Sequence, residues 1–322
     1  MASLALFVAI KAMPEDPIAL KFGKHPDPQL IAQERERLGL DRPWLSQYLS
    51  FNKQFVSGDW GESLLTGRAS LEDVGLFFPA TIELGLLALF IGCFAGASIA
   101  LYARISETRV SRTIALSLGN VGLTVPIFWI GLLLLVLGAL WLGWFPAGGR
   151  FDLMLVPPKA ITGLLLLDSL IAGDMASFSA ALRHLVLPSC CLAVFPAASV
   201  SSVLYARLGE PSIEALYVSL KARGYGNARI VFSHLLRVAS APVITVIGTT
   251  FGALLGGAFL TETVFSWPGI GRYLVSAIIE RDVFIARNVL MMLILLVFVV
   301  AFLSDILAQW MDPFESEKEE ET

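Results

Sequence analysis

Ionisable side chains within the apolar stretches of this sequence are the first residues to weigh for chemistry, because charged groups deep in a membrane usually mark ion or proton paths. Such residues are scarce here. Glu83 lies near the start of one apolar stretch, and Asp305 lies near the end of another. We expect each carboxylate to be an interfacial or interhelical hydrogen-bonding group, not an ion carrier. The energy for any transport is then expected to come from another subunit.

Motifs of common catalytic sites are absent from the sequence. It has no G-x-x-x-x-G-K-[ST] loop to hold a nucleotide, no H-E-x-x-H metal motif and no G-x-S-x-G nucleophile elbow. The histidines and cysteines do not have the spacing of metal ligands: they are His25, His184, His234, Cys93, Cys190 and Cys191. We expect the cysteines to be small buried residues. We expect no catalytic residue, metal or cofactor in this chain, which argues against a membrane enzyme.

A basic segment, residues 206–240, has the pattern of a helix, a sharp turn and a second helix. Residues 214–223 have helical character, and Gly224 permits the positive backbone angle of a sharp turn. Asn227 is predicted to cap the second helix. On that helix Val231, Leu235 and Val238 share one face, and Arg229 and Arg237 point elsewhere. The unit suits either docking into a groove on a partner protein or lying on a lipid surface, and physics alone leaves both open.

These residues must be positioned by membrane-spanning helices. Of the 322 residues, 56% are hydrophobic and 16% are charged, whereas soluble domains usually carry about a quarter charged residues. The hydrophobic residues form blocks near the roughly 20 residues needed to cross a bilayer. The sequence predicts an all-α integral membrane protein with about six transmembrane helices, the first one partial. The full candidates are residues 81–102, 114–142 with a kink at Pro126, 185–205, 242–260 and 289–310.

Four regions are predicted along the chain. Residues 1–12 are interpreted as the second half of a first transmembrane helix that starts upstream of Met1, and 13–75 as an ordered extracytoplasmic segment. Residues 76–312 form the transmembrane domain, and 313–322 an acidic cytoplasmic tail. Lys and Arg favour cytoplasmic loops, and the Arg-rich loops 104–112 and 206–240 fall on one side, which predicts that this side is cytoplasmic. The net charge of −4 gives no indication of nucleic-acid binding.

Three smaller features complete the expected architecture. Residues 31–40 are predicted to form a short amphipathic helix, and the apolar residues 161–171 are too few to span a membrane. Small residues let helix backbones approach closely in membranes. Four glycines in one predicted span are expected to have this role: Gly248, Gly252, Gly256 and Gly257.

Several blocks of the sequence resemble one protein family in their order along the chain. Ala222-Arg223-Gly224, followed by residues 230–237, resembles the cytoplasmic coupling loop of binding-protein-dependent ABC importer permeases. The His234-x-x-Arg237 pattern resembles the dipeptide/oligopeptide/nickel branch of that family. Residues 262–272 are similar to that branch's loop between the last two spans. Four upstream blocks resemble the first of the two permeases in such systems: residues 79–84, 126–131, 142–150 and 182–188.

The resemblance implies the type I ABC importer permease fold in a bacterial inner membrane, with a cytoplasmic C-terminus. It implies lipid, a homologous second permease, two cytoplasmic ATPase subunits that hold ATP and Mg, and an extracytoplasmic binding protein as partners. It implies ATPase coupling by Ala222, Arg223, Gly224, Ile230, His234 and Arg237. A gate or binding-protein loop is implied at Glu262, Phe265, Trp267, Pro268, Gly269, Gly271 and Arg272. For this loop, simple packing of the outer loops is an equal alternative.

The expected function is therefore a permease subunit that forms half of the pathway for di- or oligopeptides in an ATP-driven importer. Nickel, glutathione or another small peptide-like solute is the alternative cargo, because no residue in the sequence selects among them. A stand-alone channel or secondary carrier is the alternative from a different class. It would work without ATPase subunits and would need charged residues along its spans.

Overall fold

The computed structural model describes residues 2–11, 28–37, 39, 41–63, 66–106 and 108–311. Within these ranges the regular structure is helical, apart from one isolated β-bridge between Glu62 and Ala69. The predicted acidic tail 313–322 lies outside the described residues. So do residues 12–27, where the predicted first helix meets the extracytoplasmic segment.

Seventeen helical elements follow one another along the described part of the chain. They are α1 (Ala2–Lys11), α2 (Pro28–Arg37), α3 (Trp44–Ser57), α4 (Ser70–Ile105), α5 (Arg109–Gly119), α6 (Val121–Thr124), α7 (Ile127–Leu134), the π-helix π1 (Leu135–Trp141), α8 (Leu165–Ile171), α9 (Met175–Leu208), α10 (Pro211–Ala222), α11 (Asn227–Ile230), the π-helix π2 (Val231–Leu235), α12 (Leu236–Val238), α13 (Ser240–Val264), α14 (Ile270–Ile279) and α15 (Val283–Met311).

Four of these helices are long and apolar enough to cross a membrane: α4, α9, α13 and α15. Each contains one of the predicted spans and extends beyond it, with 36, 34, 25 and 29 residues respectively. The short helix α2 covers most of the segment that was predicted to be an amphipathic helix, and α8 covers most of the segment that was predicted to be too short to span. The expectation of an all-α membrane architecture is confirmed.

The predicted third span is broken, where the sequence predicted a single kinked helix. α6 ends at Thr124, and Val125 has an extended backbone with φ −98° and ψ 131°. α7 then begins directly after Pro126. Proline has no N–H to donate, and its ring disfavours a helical conformation in the preceding residue. The chain therefore leaves the helix at Val125 and continues as α7 and π1.

Two of the four glycines in α13 bring this helix close to α15. At Gly248 and Gly252 the side chains of α15 occupy the space that a Cβ would need, so the backbones can approach only without side chains there. Gly256 and Gly257 have no atom within 4 Å of the Cβ position. The predicted role in close packing is therefore confirmed for the first two glycines and not for the last two.

The bundle formed by the four long helices has two ends. At the basic end, named for its arginines, α4 and α9 finish and α13 begins, and Arg104 forms an ion pair with Glu214 of α10. This contact places the two Arg-rich loops on one side of the bundle, as predicted. At the opposite end α4 begins and α13 finishes, and the Thr81 hydroxyl donates to the Glu262 carboxylate.

Candidate functional site

The basic end carries the predicted helix–turn–helix, residues 211–239. α10 ends at Ala222, and the Gly224 N–H donates to the carbonyl of Lys221 at 3.0 Å. Gly224 has φ +82°, a backbone conformation that glycine adopts readily and other residues avoid. The predicted sharp turn at Gly224 is confirmed.

One face of the second helix is buried against the ends of the spans. Ile230, Val231 and Leu235 pack in a core with Leu204 and Leu208 of α9, and Val238 packs at its edge. Both predicted arginines of this helix are exposed, Arg229 and Arg237. The predicted division into apolar and basic faces is confirmed, and the segment is anchored on the transmembrane bundle.

The other face of this segment is open. Residues 221–227 are exposed, including Ala222, Arg223 and Gly224. His234 is half-buried and lies edge-on to the ring of Tyr225, with 5.9 Å between ring centroids. Arg237 is exposed as well. The structure thus divides the predicted coupling residues into four exposed residues, the half-buried His234 and one buried residue, Ile230.

Two features of this segment differ from the sequence-based expectation. Asn227 does not cap the second helix: the Gly226 carbonyl accepts from Ile230 N–H, and the Asn227 amide oxygen accepts from the Tyr217 hydroxyl at 3.3 Å. Phe232 was not singled out, yet 68% of it is exposed. Its position out of register with Val231 and Leu235 on the helical wheel was the available signal.

At the opposite end, the Glu262 carboxylate is fully buried. It connects α13, which carries Glu262, to α4 and α14 by hydrogen bonds. One oxygen accepts from the Thr81 hydroxyl of α4, and the other accepts from the backbone N–H of Arg272 at 2.7 Å. A Cβ on Gly269 would lie 2.0 Å from this carboxylate. The loop therefore folds tightly around Glu262.

Phe265 and Trp267 are each only 1% exposed. The Trp267 indole donates to the carbonyl of Ala80 at 2.9 Å, and the Gly149 N–H donates to the carbonyl of Phe265 at 3.0 Å. Gly271 is buried, Pro268 is half-buried and Arg272 is exposed. This arrangement favours packing of the outer loops as the role of Trp267, because its ring is not available to a partner in this conformation.

Arg150 connects α4 to the loop before α8 and was not singled out from the sequence. Its guanidinium donates to the Glu83 carboxylate at 2.7 Å and to the carbonyl of Gly163 at 2.7 Å. It also lies 6.0 Å from the centroid of the Trp267 ring. Glu83 is therefore an interhelical hydrogen-bonding group, as predicted, whereas Asp305 is exposed on α15.

The described part of the N-terminal segment is tied to α14 and α15. The Tyr273 hydroxyl donates to the Asp73 carboxylate at 2.7 Å, and the Asn288 amide donates to the carbonyl of Trp60 at 2.8 Å. Burial raises the pKa of Tyr273 above its usual value, so the hydroxyl keeps its proton and remains a donor at neutral pH. These two hydrogen bonds attach Asp73 and Trp60 to α14 and α15.

No group of three or more His, Cys, Asp or Glu side chains within the described ranges has the geometry to hold a metal ion. The three cysteines are free; Cys191 is buried, and Cys93 and Cys190 are partly exposed. The expectation of small buried cysteines is therefore confirmed for Cys191.

Replacing Trp267 with alanine is expected to lower the thermal unfolding temperature of the purified protein, because emptying a buried tryptophan site costs about 3–5 kcal/mol. Trp310, which is 84% exposed, provides the matched control: Trp310→Ala should leave the unfolding temperature nearly unchanged. Uptake and affinity for an extracytoplasmic binding protein should be measured on both variants. Loss of that affinity in Trp267→Ala without loss of stability would contradict a packing role.

Comparison with known proteins gives matches over nearly the whole chain. Residues 88–316 match the family described as the binding-protein-dependent transport system inner membrane component, and residues 1–74 match the N-terminal family of the same membrane components. The di/tripeptide transport system permease protein DppB of Pseudomonas aeruginosa is 39% identical over 95% of this chain and 91% of its own length. The dipeptide transport system permease protein DppB of Alkalihalophilus pseudofirmus is 32% identical over 97% of this chain and 93% of its own.

One solved structure has the same fold. It is a chain of the MetNI methionine ABC transporter in inward-facing conformations, with a TM-score of 0.52 and 17% identity. The match covers 72% of this chain and 93% of that chain. At this identity the likeness concerns the fold alone.

Proposed function

The chain belongs to the family of binding-protein-dependent transport system inner membrane components, so it is a multi-pass permease subunit of the inner membrane, and we propose that it carries di- or oligopeptides in an ATP-driven importer. Both compared relatives are named as permeases for dipeptides or for di- and tripeptides. The match extends over more than nine-tenths of each relative, which supports a common cargo class.

The proposed transporter contains a homologous second permease, two cytoplasmic ATPase subunits and an extracytoplasmic binding protein. The ATPase subunits hold ATP and Mg, and this chain contributes half of the pathway and no catalytic residue. The basic end faces the cytoplasm, because Lys and Arg favour cytoplasmic loops. α15 runs antiparallel to α13, which supports a C-terminus on the same side.

The observation that carries the coupling role is the seating of residues 211–239. The turn around Gly224 is exposed, and the opposite face, with Ile230 and Leu235, packs against α9. Protein cores are close-packed and transmit displacement. A movement of an ATPase against the turn would therefore shift the ends of α4, α9 and α13. In this role Ala222, Arg223, Gly224, His234 and Arg237 meet the ATPase, and Ile230 passes the movement on.

At the opposite end we propose an indirect role for the loop 262–272 in gating. Glu262, Trp267 and Gly269 hold the loop in place from within, and the exposed Arg272 is the member that a binding protein can touch. Opening of the pathway would then require the outer loops to move together, because Glu262 and Arg150 tie them to α4.

The test is to tag this chain, purify it gently from its native membrane, and identify the proteins that accompany it. A second permease and ATPase subunits are expected. The complex should then be placed in liposomes with the co-purified binding protein, and uptake of a radiolabelled dipeptide should depend on ATP.

The possible results separate the alternatives. Uptake of nickel or glutathione in place of the dipeptide would retain the importer and replace its cargo. Recovery of this chain alone, with activity in liposomes that lack ATP, would reject the importer and support a channel or secondary carrier.

A further inference from the structure

The loop before α8 presents apolar side chains to its surroundings at the opposite end of the bundle. Leu153 is 99% exposed, Met154 is 91% exposed and Val156 is 87% exposed. The loop has a fixed turn, because the Met154 N–H donates to the Asp152 carboxylate at 2.9 Å and the Leu155 N–H donates to the Asp152 carbonyl at 3.2 Å. Exposed apolar surface on a fixed turn indicates a contact with another apolar phase or partner.

Hydrogen bonds hold the two ends of this loop together and attach them to α4. The Arg150 guanidinium reaches both the Gly163 carbonyl and the Glu83 carboxylate, each at 2.7 Å. The Leu166 N–H, at the start of α8, donates to the same carboxylate at 2.6 Å. The two ends of the loop therefore lie at the level of Glu83.

The position of Glu83 along α4 gives the depth of that level. Glu83 and Arg104 are 21 positions apart on this helix, which corresponds to about 32 Å at 1.5 Å per residue. The hydrocarbon core of a bilayer is about 30 Å thick. With Arg104 at the membrane surface of the basic end, Glu83 lies at the boundary between hydrocarbon and headgroups of the other leaflet.

Neighbouring residues support this depth. Trp141 is 78% exposed and Trp144 is 62% exposed, and tryptophan is enriched at the level of the lipid headgroups. The carbonyl of Trp144 accepts from Arg183 on α9 at 3.1 Å. The chain therefore passes through the headgroup level immediately before it reaches the exposed loop.

α8 continues the apolar surface. It buries Asp168 and Ser169 against the bundle and exposes Leu167, Leu170 and Ile171. The exposed face of α8 is therefore apolar at this depth, which suits contact with the acyl chains next to the headgroups.

We propose that residues 151–171, here called the interfacial platform, lie on the leaflet at the opposite end of the bundle, with Leu153, Met154 and Val156 in the headgroup–acyl boundary. The exposed Lys159 lies beside them in sequence and suits the phosphates of the lipid headgroups. The tip exposes Leu153, Met154 and Val156 and no aromatic residue or arginine, and of these three only methionine is a type that is enriched in protein interfaces. The occupant is therefore a lipid surface, and the inference does not depend on the cargo.

The test places the photo-crosslinking residue p-benzoylphenylalanine at position 154 in the complete complex, reconstituted in lipid nanodiscs with the binding protein present. Position 154 tolerates the change because Met154 is almost fully exposed. The control position is 280, because Glu280 is exposed just before α15. The first residue of α15 lies about 42 Å from its last, Met311, at 1.5 Å per residue, which sets position 280 beyond the hydrocarbon.

After illumination, mass spectrometry should find a phospholipid adduct at position 154 and several-fold less at position 280. Leu153→Asp should reduce the adduct at position 154, because a charge disfavours entry into the boundary region. A crosslink from position 154 to the binding protein or to the second permease would overturn the proposal. Equal lipid adducts at the two positions, or none at either, would overturn it as well.

Discussion

Gly224→Val is expected to abolish ATP-dependent uptake while the permease still inserts and assembles with its partners. Gly224 has φ +82°, and this region costs a residue with a side chain roughly 1–2 kcal/mol. A β-branched residue is the least tolerant of such a backbone conformation. The turn must therefore change, and with it the surface that α10 and α11 present.

The defect should be confined to the turn. An added Cβ at Gly224 has no atom within 4 Å, so the first side-chain carbon of valine has open space. The measurement is uptake into proteoliposomes, with the amount of membrane-inserted complex determined in parallel.

Gly226 provides the matched control two residues further on. It also has open space around its Cβ position, and its φ lies outside the positive range. Gly226→Val should therefore retain most of the uptake. Normal uptake by Gly224→Val would show that Gly224 only ends α10 and does not set the coupling geometry. Equal loss in both variants would assign the defect to added bulk on this surface.

Gly269→Ala is expected to destabilise the opposite end of the bundle strongly. The new Cβ would lie 2.0 Å from one oxygen of the Glu262 carboxylate, so the carboxylate must move. It would then lose the hydrogen bonds from Thr81 and from the N–H of Arg272. A buried carboxylate left without its donors costs about 1–3 kcal/mol or more.

The expected result is a clearly lower unfolding temperature. Unfolding can be measured by the intrinsic tryptophan fluorescence, to which Trp267 contributes. Gly256→Ala is the matched control, because its Cβ position on α13 is open. Alanine is favoured over glycine within helices by up to about 1 kcal/mol, so this control should be as stable as the unaltered protein or slightly more so. An unchanged unfolding temperature for Gly269→Ala would mean that the Glu262 junction does not hold the outer loops together.

The positions of the long helices follow from the sequence because each is a local property. A block of about 20 apolar residues must span or be buried, whatever lies elsewhere in the chain. The turn at Gly224 and the two faces of the helix after it are local as well, since glycine and the helical period decide them. The same blocks carry the family resemblance.

Details of local geometry were predicted less well. Pro126 breaks its helix where a kink was expected, because the backbone around a proline depends on how the neighbouring helices satisfy the freed carbonyls. Asn227 forms a hydrogen bond with Tyr217 in place of capping the second helix. The Asn227 side chain can accept from a helix N–H or from the Tyr217 hydroxyl, and which of the two it meets depends on where Tyr217 lies. The sequence alone does not give that position.

The sequence by itself therefore determined the membrane class, the four long spans, the family and the basic coupling-type turn. Only the tertiary structure decided which polar residues meet at the opposite end. Glu262 and Thr81 are 181 positions apart, and Arg150 and Glu83 are 67 apart. No local pattern specifies such pairs, because they depend on which helix faces are turned toward each other. The burial of Trp267 has the same cause, because its indole donates to the carbonyl of Ala80, 187 positions away.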